Sequence, residues 1–407
     1  MSGALSGIRI LEVAEHAFVP TSAAILSDWG ADVIKVEHAE RGDAMRGLGS
    51  TGVISLGGGV HVLNEHANRG KRSIGIDLTK PAGRAVLYKL AVTADVFLTN
   101  KLPGVLKKLE IDVQHIRAHN PKIIYARGTA FGPAGPDKER GGYDQTAFWC
   151  RAGAAASATP PGLPFVVPQP GPAFGDSLSG MTLAGGISAA LLKRERSGEP
   201  SVIDVSLLGT GTWAMGATIA LGLQSGKAWS PPAKSKGGGP GNPLTGLYKT
   251  SDGRFISVVM LQAFKYWADF CEHIGKAELA TDPRFDSHKK LAKNASVARE
   301  IIGEVIETAS LTEWTQRFAT LKGQWAPVQN SLEVAADAQV RANSYIAQTT
   351  TSDGTDFELA ASPVQFDETA MATARAPEFN EHGDELLQSL GLTESDVLEL
   401  KVAGAVT

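Results

Sequence analysis

The sequence predicts an α/β protein that combines a large, doubly wound parallel-sheet domain with a smaller α+β domain. The chain has 407 residues, which is well above the usual size of one domain and leads us to expect two. Its first half alternates short β-branched runs with amphipathic helical stretches, a pattern typical of a parallel sheet covered by helices. A break rich in glycine and proline, residues 226–243, separates this part from the second half of the chain.

The elements of the large domain follow from the apolar pattern. Each expected strand is a short apolar run, and each expected helix has one apolar face. In the first helix, Pro20 suits the first turn and Gly30 suits the C-cap. Strands are predicted at residues 8–13, 32–36, 73–78, 95–98, 123–126 and 202–206. Further helices are predicted near 82–91, from Pro103, around 113–119, and over 178–192 and 207–223, with an irregular segment at 152–172.

The rest of the chain predicts a smaller α+β domain and a final segment. A strand-turn-strand is expected around Asp252 and Gly253, followed by helices near 264–274, 295–309 and 311–319. The final segment has a helical stretch at 333–344, a hairpin around Asp353 and Gly354, and a helix after His382. The predicted boundaries are 1–225 for the first part of the large domain, 226–243 for the linker, 244–330 for the small domain and 331–407 for the final segment.

Composition argues against several classes of function. A formal net charge of −4 provides no overall positive field to attract nucleic acid or an anionic membrane. The two cysteines, Cys150 and Cys271, are too few for a disulfide framework or a cysteine-based metal site, and they suit a reducing compartment. The N-terminus lacks a signal-peptide pattern, and no apolar run reaches the roughly 20 residues of a membrane span. We therefore expect a cytoplasmic protein without nucleic acid, membrane or metal partners.

Generic catalytic motifs are absent or weak. The chain has neither a Walker A sequence nor a G-x-G-x-x-G after its first strand. His115 and His119 are spaced i, i+4, but without an apparent third ligand a solvated pair is favoured over a metal site. The letters GDSL match a serine-hydrolase motif with Ser177 as nucleophile, yet the Asp-x-x-His that would supply the base lies upstream of it. A hydrolase is therefore the weaker hypothesis.

Two cationic turns and one glycine-rich segment each leave two interpretations open. Residues 68–73 carry three cations before a strand, and Asn100, Lys101 and Lys108 follow another strand. Such residues are often merely solvated, but ligands of open α/β sheets bind at the carboxyl ends of strands, where cationic turns can hold a polyphosphate. The glycines at 237–239 can form a linker, or can donate N–H groups to an oxyanion and close over a ligand.

Seven motifs between residues 7 and 208 occur in a characteristic order and spacing. They are GIRILE at 7–12, ILSDWGADVIKVE at 25–37, NRGKRSI at 68–74, Asn100 with Pro103-Gly104, Gly142-Tyr143-Asp144, Gly175-Asp176 with Gly180, and residues 202–208. Together they resemble the class III coenzyme A transferases, the CaiB/BaiF family. The likeness covers most of the large domain and is far more specific than any single motif.

This resemblance implies an architecture and a set of substrates. The large domain would be built from both chain ends, so that residues 331–407 return to pack on it. Two subunits would thread through each other as an interlocked homodimer. The substrates would be an acyl-CoA and a small carboxylic acid, with coenzyme A passed between them.

The resemblance also implies a nucleophile, because Asp176 matches the family's catalytic aspartate. The expected helix N-terminus would keep its carboxylate ionised, and Gly175 would let a thioester approach the backbone closely. The implied reaction passes through a mixed anhydride and an aspartyl-CoA thioester. Gly238 and Gly239 would join the catalytic set, although Pro240 follows the triplet where some members have a fourth glycine and a glutamine.

A further set of positions is implied to bind coenzyme A. These are Glu15, His16, Ala17 and Phe18 after the first strand, His38 after the second, Lys71 and Arg72 beside the third, Asn100, Lys101 and Lys108 after the fourth, and Tyr143 and Asp144 in the Gly-Tyr-Asp motif. His38 replaces a frequent arginine, and Glu15 and Phe18 differ from the small or amide residues of other members. The acyl end of the site is expected to involve Phe148, Trp149, Phe174 and the glycine-rich segment.

Two alternatives remain within the acyl-CoA chemistry. Some family members are α-methylacyl-CoA racemases, which move the proton α to the thioester and need an acid/base pair there. Their base is the histidine of a Gly-His-Asp motif, where this chain has Tyr143. Because a phenol is a weaker base than an imidazole at neutral pH, transferase is favoured over racemase. A non-catalytic acyl-CoA-binding protein is the third possibility, and nothing in the sequence favours it.

Overall fold

The structure divides into two compact units. In the computed structural model of the protein, the described residues are 3–51, 59–231, 241–370 and 373–407. The first unit comprises Met1–Ala158, Phe165–Trp229 and Ala338–Thr407, and the second comprises Thr159–Pro164 and Ser230–Asp337. The first unit therefore contains both ends of the chain.

A six-stranded sheet forms the centre of the first unit. Its strands are β1 (Arg9–Val13), β2 (Asp32–Glu37), β3 (Arg72–Gly75), β4 (Val96–Thr99), β5 (Ile124–Thr129) and β6 (Val202–Ser206). The order is β3-β2-β1-β4-β5-β6, and every neighbouring pair is parallel. The predicted parallel sheet is confirmed. Its order reverses between β1 and β4, and open sheets of this kind bind ligands at the carboxyl ends of the strands beside that point.

Helices cover both faces of this sheet. Those of the first unit up to residue 225 are α1 (Phe18–Asp28), α2 (Val62–Asn68), α3 (Pro81–Val92), α4 (Pro103–Lys108), α5 (Val113–His119), α6 (Ala154–Ala158), α7 (Phe174–Ser197), α8 (Leu207–Ala214) and α9 (Gly216–Ser225). Successive strand residues point to opposite faces. Thus Ile10 packs in the core with α1 and α7, whereas Leu11 packs in the core with α3 and α5.

The second unit has an antiparallel sheet backed by helices. Its strands are β7 (Thr245–Lys249), β8 (Phe255–Val259) and β9 (Trp325–Pro327), in that order. Its helices are α10 (Ala263–His273), α11 (His288–Lys293), α12 (Ala295–Ile306), α13 (Leu311–Arg317) and α14 (Ser331–Ala336). Trp267, Phe270 and Trp314 are buried at its centre.

The end of the chain rejoins the first unit. It forms α15 (Ala338–Ala342), the antiparallel hairpin β10 (Ile346–Thr350) and β11 (Asp356–Ala360), α16 (Gly383–Ser389) and α17 (Glu394–Val402). Leu386, Leu387 and Val397 join the core that contains Leu11. Backbone hydrogen bonds also link His382 N–H to Ser73 O and Thr407 N–H to Gly75 O.

Three local predictions are corrected by the structure. The single helix expected at 207–223 is interrupted at Met215, whose φ of −90° and ψ of 8° lie outside the α-helical region. The helix expected at 333–344 is interrupted at Asp337, which is extended. The segment expected to be irregular contains α6, and a π-helix, Gln145–Arg151, precedes it. Each difference is a local change in backbone geometry that apolar periodicity does not reveal.

A buried ion network joins β1, β2 and the loops after them. The Lys35 ammonium, whose side chain is fully buried, lies 2.9 Å from Glu12 Oε1 and 2.7 Å from Asp43 Oδ2. It also donates to Ala14 O at 3.0 Å. Burial alone would lower the pKa of Lys35, but the carboxylates of Asp43 and Glu12 outweigh it and raise that pKa. The network therefore holds the chain where it leaves the carboxyl end of β1.

We expect Lys35→Met to destabilise the first unit by about 3–5 kcal/mol, because it leaves the buried Asp43 carboxylate without its cation. Lys401→Met is the control, since the Lys401–Asp384 pair at 2.7 Å is partly exposed and should contribute at most about 1 kcal/mol. Native-state hydrogen exchange of the β1 and β2 amides measures both effects. Equal protection in the two variants would contradict this role of Lys35.

Candidate active site

A cavity of about 460 Å³ opens at the carboxyl ends of β1, β4 and β5. It is lined by Glu15, His16, Ala17, Phe18, Asn100, Leu102, Gly128, Thr129, Ala130, Phe131, Arg140, Gly141, Gly142, Tyr143, Thr146, Asp176 and Leu207. These residues come from the ends of β1, β4 and β5 and the segments after them, from the start of the π-helix and the segment before it, and from the starts of α7 and α8. The cavity thus lies where the order of the sheet reverses, as open α/β sheets predict.

The loop from β1 to α1 is held in one conformation by residues beneath it. His16 N–H donates to Asp43 Oδ1 at 3.0 Å, and the same Asp43 pairs with Lys35. The φ of His16 is 69°, a left-handed value that costs energy in a residue with a side chain. The hydrogen bonds to this loop therefore maintain a strained backbone at the cavity wall.

The loop after β4 is tied to the same segment. Asn100 Oδ1 accepts from Glu15 N–H at 3.2 Å, and Asn100 Nδ2 donates to Glu15 O at 2.6 Å. Lys101 Nζ lies 2.8 Å from Glu15 Oε2. Asn100 therefore clamps the backbone of the β1 loop, and the charge of Lys101 is matched by Glu15.

Asp176 lies in the first turn of α7, three residues after its N-cap, Ala173. None of the hydrogen bonds among the described residues involves its side chain, which lines the cavity. Burial, and secondarily the negative charge of Asp144, raises the pKa of Asp176 from 3.8 to about 7. Desolvation therefore opposes the effect of the helix N-terminus, which was expected to keep this carboxylate ionised.

The start of α7 is held by a carboxylate from another element. Asp144 Oδ2 accepts from Gly175 N–H at 3.2 Å and from Gln169 Nε2 at 3.0 Å. A Cβ atom on Gly175 would lie 2.7 Å from Phe148 Cγ and 2.9 Å from Asp144 Cβ. Only glycine permits this approach without displacement, so Gly175 lets the first turn of α7, which carries Asp176, pack against Asp144.

Comparisons with known proteins identify the family. Residues 5–383 match the model of CoA-transferase family III. The chain belongs to this family. (R)-2-hydroxy-4-methylpentanoate CoA-transferase of Clostridioides difficile is 29% identical over 398 residues, covering 98% of each chain. Succinate–glutarate CoA-transferase of Agrobacterium fabrum is 32% identical over 399 residues, covering 96% of each.

A solved structure agrees with this assignment. The crystal structure of a CAIB/BAIF family protein from Brucella suis superposes with a TM-score of 0.80 at 27% identity, covering 96% of this chain and 100% of that one. The resemblance stated from the motifs is confirmed, and so is the conclusion that this chain is a family III CoA-transferase, an enzyme.

The structure brings part of the predicted site of this transferase together. The predicted residues that line the cavity are Glu15, His16, Ala17, Phe18, Asn100, Tyr143 and Asp176, and Lys101 pairs with one of them, Glu15. Asp144 lies behind the wall, against Gly175. The exposed Lys108 ends α4 and does not line the cavity. Gly238 and Gly239 fall outside the described residues.

Three predicted cations do not lie at the cavity. Lys71 Nζ is fully buried, 2.6 Å from Glu12 Oε2, and donates to Pro20 O. Arg72 binds Asp32, the first residue of β2, with an N–O distance of 2.6 Å, so it lies at the amino end of the sheet. These contacts do not fit the predicted binding of phosphates. His38 follows β2 without lining the cavity, and its Nδ1 accepts from Glu40 N–H.

The aromatic residues expected at the acyl end form a cluster next to α7. Phe174 makes edge-to-face contacts with Phe148 and Trp149 at centroid distances of 6.1 and 6.3 Å. Phe148 and Trp149 are buried, and none of the three lines the cavity. Phe148 and Trp149 therefore pack against Phe174, the first residue of α7.

Sequence reasoning missed several residues of the cavity wall. Arg140 and Phe131 are two of them, and the Arg140 guanidinium carbon lies 5.6 Å from the centroid of the Phe131 ring. Phe131 follows β5, so the rule that ligands bind at carboxyl strand ends would have found it. Arg140 had a weaker signal, its position two residues before the Gly-Tyr-Asp motif.

The described ranges show neither a membrane-spanning helix nor a metal cluster. No helix there combines the length and the apolar character that a membrane crossing requires. No group of three or more histidine, cysteine or acidic side chains there could hold a metal ion.

Because the pKa of Asp176 is raised, replacing this residue with a neutral one should stabilise the folded protein by an amount that depends on pH. The folded protein holds a proton that the unfolded chain releases above pH 3.8, so stability falls as pH rises from there to about 7. Asp176→Asn should therefore match wild type near pH 4 and exceed its melting temperature increasingly up to about pH 8.

A matched control is Asp396, which lies three residues after the N-cap of α17, as Asp176 does in α7. Asp396 accepts from the Thr393 hydroxyl, and this hydrogen bond lowers the pKa of Asp396. Asp396→Asn should therefore lower the melting temperature at pH 8, an effect that disappears in acid. A stability difference for Asp176→Asn that does not change with pH would contradict the assigned pKa.

Proposed function

We propose that the enzyme transfers coenzyme A from an acyl-CoA donor to a carboxylic acid acceptor through an aspartyl-CoA thioester at Asp176. The observation that carries this proposal is the Asp176 carboxylate, which lines the cavity without a hydrogen-bond partner among the described residues. A carboxylate used only for structure would be expected to satisfy its oxygens with donors. The family of the chain supplies the thioester chemistry to which such a nucleophile is suited.

The first half of the proposed reaction loads the enzyme. The Asp176 carboxylate attacks the thioester carbonyl and expels the CoA thiolate, forming a mixed anhydride. The thiolate then attacks the Asp176 carbonyl and releases the donor acid as a carboxylate. An aspartyl-CoA thioester remains, and one negative charge is conserved in each step.

The second half repeats these steps in reverse with the acceptor. Its carboxylate attacks the aspartyl thioester and expels the thiolate, which attacks the acceptor carbonyl of the new anhydride. The Asp176 carboxylate leaves, and acceptor acyl-CoA is formed. No net proton transfer is needed, so a single carboxylate in a partly desolvated site is sufficient.

Coenzyme A is proposed to lie along the β1 and β4 loops. Glu15, His16, Ala17 and Phe18 supply backbone and ring surfaces, and Asn100 holds their conformation. Arg140 is the cavity cation with the weakest partner, since its side chain is 67% exposed and lies 3.8 Å from Asp137. We assign phosphate binding to Arg140, with Lys101 and the exposed Lys108 at the same strand ends. A soluble CoA ester as substrate also favours a cytoplasmic location.

The names of the relatives indicate only a broad class of acyl group for this enzyme. One relative is named for a branched hydroxy acid and another for two dicarboxylic acids. A carboxylic acid is common to all, and we propose that class for donor and acceptor.

Racemisation is the second candidate, and one observation favours it. His16 and Asp176 both line the cavity, and the His16 ring contacts Tyr143 at a centroid distance of 5.6 Å. An imidazole and a carboxylate could form the acid/base pair that α-proton exchange needs. Deuterium incorporation at the α-carbon of a 2-methylacyl-CoA, without acyl exchange, would establish this reaction in place of transfer.

A second copy of the chain is proposed to cover α8 and α9. Trp213 is 85% exposed, Leu223 is 82% exposed, and no residue of α9 is buried. An apolar helix without a buried residue is typical of a subunit interface. Together with the family resemblance, this face supports an interlocked homodimer.

We expect Asp176→Asn to reduce CoA exchange by more than about a thousandfold, because the amide cannot replace the nucleophile. CoA affinity should stay near the wild-type value, since the carboxylate acts on the reacting carbonyl. Asp396→Asn, at the same helix position of α17, should retain full exchange. Hydroxylamine trapping after incubation with acyl-CoA, followed by peptide mass spectrometry, should place the modification on Asp176. Modification elsewhere, or exchange by Asp176→Asn, would refute the mechanism.

We also expect the homodimer to persist on dilution to nanomolar concentration, because linked subunits cannot separate without unfolding. Native mass spectrometry of the diluted protein measures this. Trp213→Glu should weaken assembly during refolding, while Lys401→Glu on the partly exposed side of α17 should not. Folded monomers in rapid equilibrium with the dimer would exclude the interlocked arrangement.

A further inference from the structure

Two carboxylates meet at the start of α7, and the proposed reaction uses only one of them. We propose that Asp144 is a positioning residue, which fixes the first turn of α7 and holds a second negative charge beside the nucleophile. This inference rests on the proposed function of Asp176. It assigns Asp144 a role in the reaction itself, distinct from the CoA contact expected from its motif.

The contacts of Asp144 come only from neutral donors. Its side chain is buried, and it accepts from Gly175 N–H, Gln169 Nε2 and Gln145 N–H at 3.2, 3.0 and 2.8 Å. No cation pairs with it among the described residues. These three donors fix the orientation of the Asp144 carboxylate, and no ion pair within the described residues compensates its charge.

Asp144 replaces the cap that α7 lacks. Ala173 is the N-cap, with a left-handed φ of 57° and no side-chain acceptor. Helices are usually capped by a residue of their own N-terminus, often a neutral serine, threonine or asparagine. Here the acceptor lies 31 residues before Gly175. A neutral cap would satisfy the same N–H, so the charge of Asp144 is an additional property.

That charge favours the covalent intermediates of the proposed reaction. Before reaction, Asp144 and Asp176 repel each other in a poorly solvated region. When Asp176 becomes an anhydride or thioester, its negative charge passes to the CoA thiolate and then to the released donor carboxylate, so the repulsion at Asp176 is relieved. An interaction that is unfavourable in the free enzyme and absent in the intermediate lowers the barrier between them.

Other titratable groups around Asp176 are either paired or directed elsewhere. They are Glu15 and His16 on the β1 loop, Arg140 and Tyr143 before the π-helix, and His66 on α2. Glu15 is neutralised by Lys101. His66 Nε2 lies 3.5 Å from Ser177 Oγ, and burial lowers the pKa of His66 to about 4, so this imidazole is neutral. Asp144 is thus the carboxylate whose charge affects Asp176 most directly.

The test is Asp144→Asn, which keeps an acceptor oxygen for Gly175 N–H and removes the charge. Single-turnover formation of the Asp176 adduct is measured against pH. The midpoint should fall by roughly one pH unit, and kcat above both midpoints, near pH 9, should fall by up to about tenfold with KM for the donor changed less than about twofold. Asp144→Glu, which retains the charge, should keep the wild-type midpoint. Thermal denaturation verifies that both variants are folded.

Asp112→Asn is the matched control. Asp112 caps α5 by accepting from Gln114 N–H and His115 N–H at 3.0 and 3.1 Å, and it does not line the cavity. Its variant should show the wild-type midpoint. An unchanged midpoint in Asp144→Asn, or an equal shift in Asp112→Asn, would overturn the role of Asp144 while leaving the Asp176 adduct intact. Absence of the adduct from wild type would instead refute the proposed function and this inference with it.

Discussion

The ammonium group of Lys35 is the contact on which the cavity depends. It joins Glu12 on β1 to Asp43, and Asp43 in turn accepts from the backbone of His16. A single buried cation therefore sets both the end of a central strand and the conformation of the loop above it. Because the ions are desolvated, their arrangement tolerates little change in geometry, and this rigidity is transmitted to the cavity wall.

The start of α7 shows the opposite use of buried charge. At Lys35 each carboxylate has a cation, whereas neither Asp144 nor Asp176 forms an ion pair among the described residues. In the first arrangement the desolvated charges compensate one another, and in the second burial and the Asp144 charge make ionisation of Asp176 less favourable. A protein accepts such a cost where the group must react, because a satisfied carboxylate is a poor nucleophile. Gly175 makes the arrangement sterically possible.

The sequence was sufficient to predict what depends on local pattern. Apolar periodicity predicted the strands and the body of α7, and the order of motifs selected Asp176 and the β1 loop, which line one cavity. The local sequence pattern could not predict the burial of side chains whose partners lie far away in the chain. Lys71 looks like a solvated cation in its own turn, but its partner Glu12 lies far away in sequence. Arg72 opens its strand, so the parallel sheet carries it to the edge opposite the cavity. The π-helix and the left-handed Ala173 depend on packing and not on periodicity.

The central claim, that the Asp176 carboxylate carries the transferred group, can be tested by following its oxygen atoms. The enzyme is incubated with acyl-CoA and an acceptor acid labelled with oxygen-18, and the peptide containing Asp176 is analysed by mass spectrometry. In the proposed reaction, one oxygen of the acceptor acid bridges the acceptor acyl group and Asp176 in the second anhydride. When the CoA thiolate attacks the acceptor carbonyl, this oxygen stays on Asp176. The account predicts that the Asp176 side chain gains label during turnover, whereas full exchange with no label at Asp176 would contradict it.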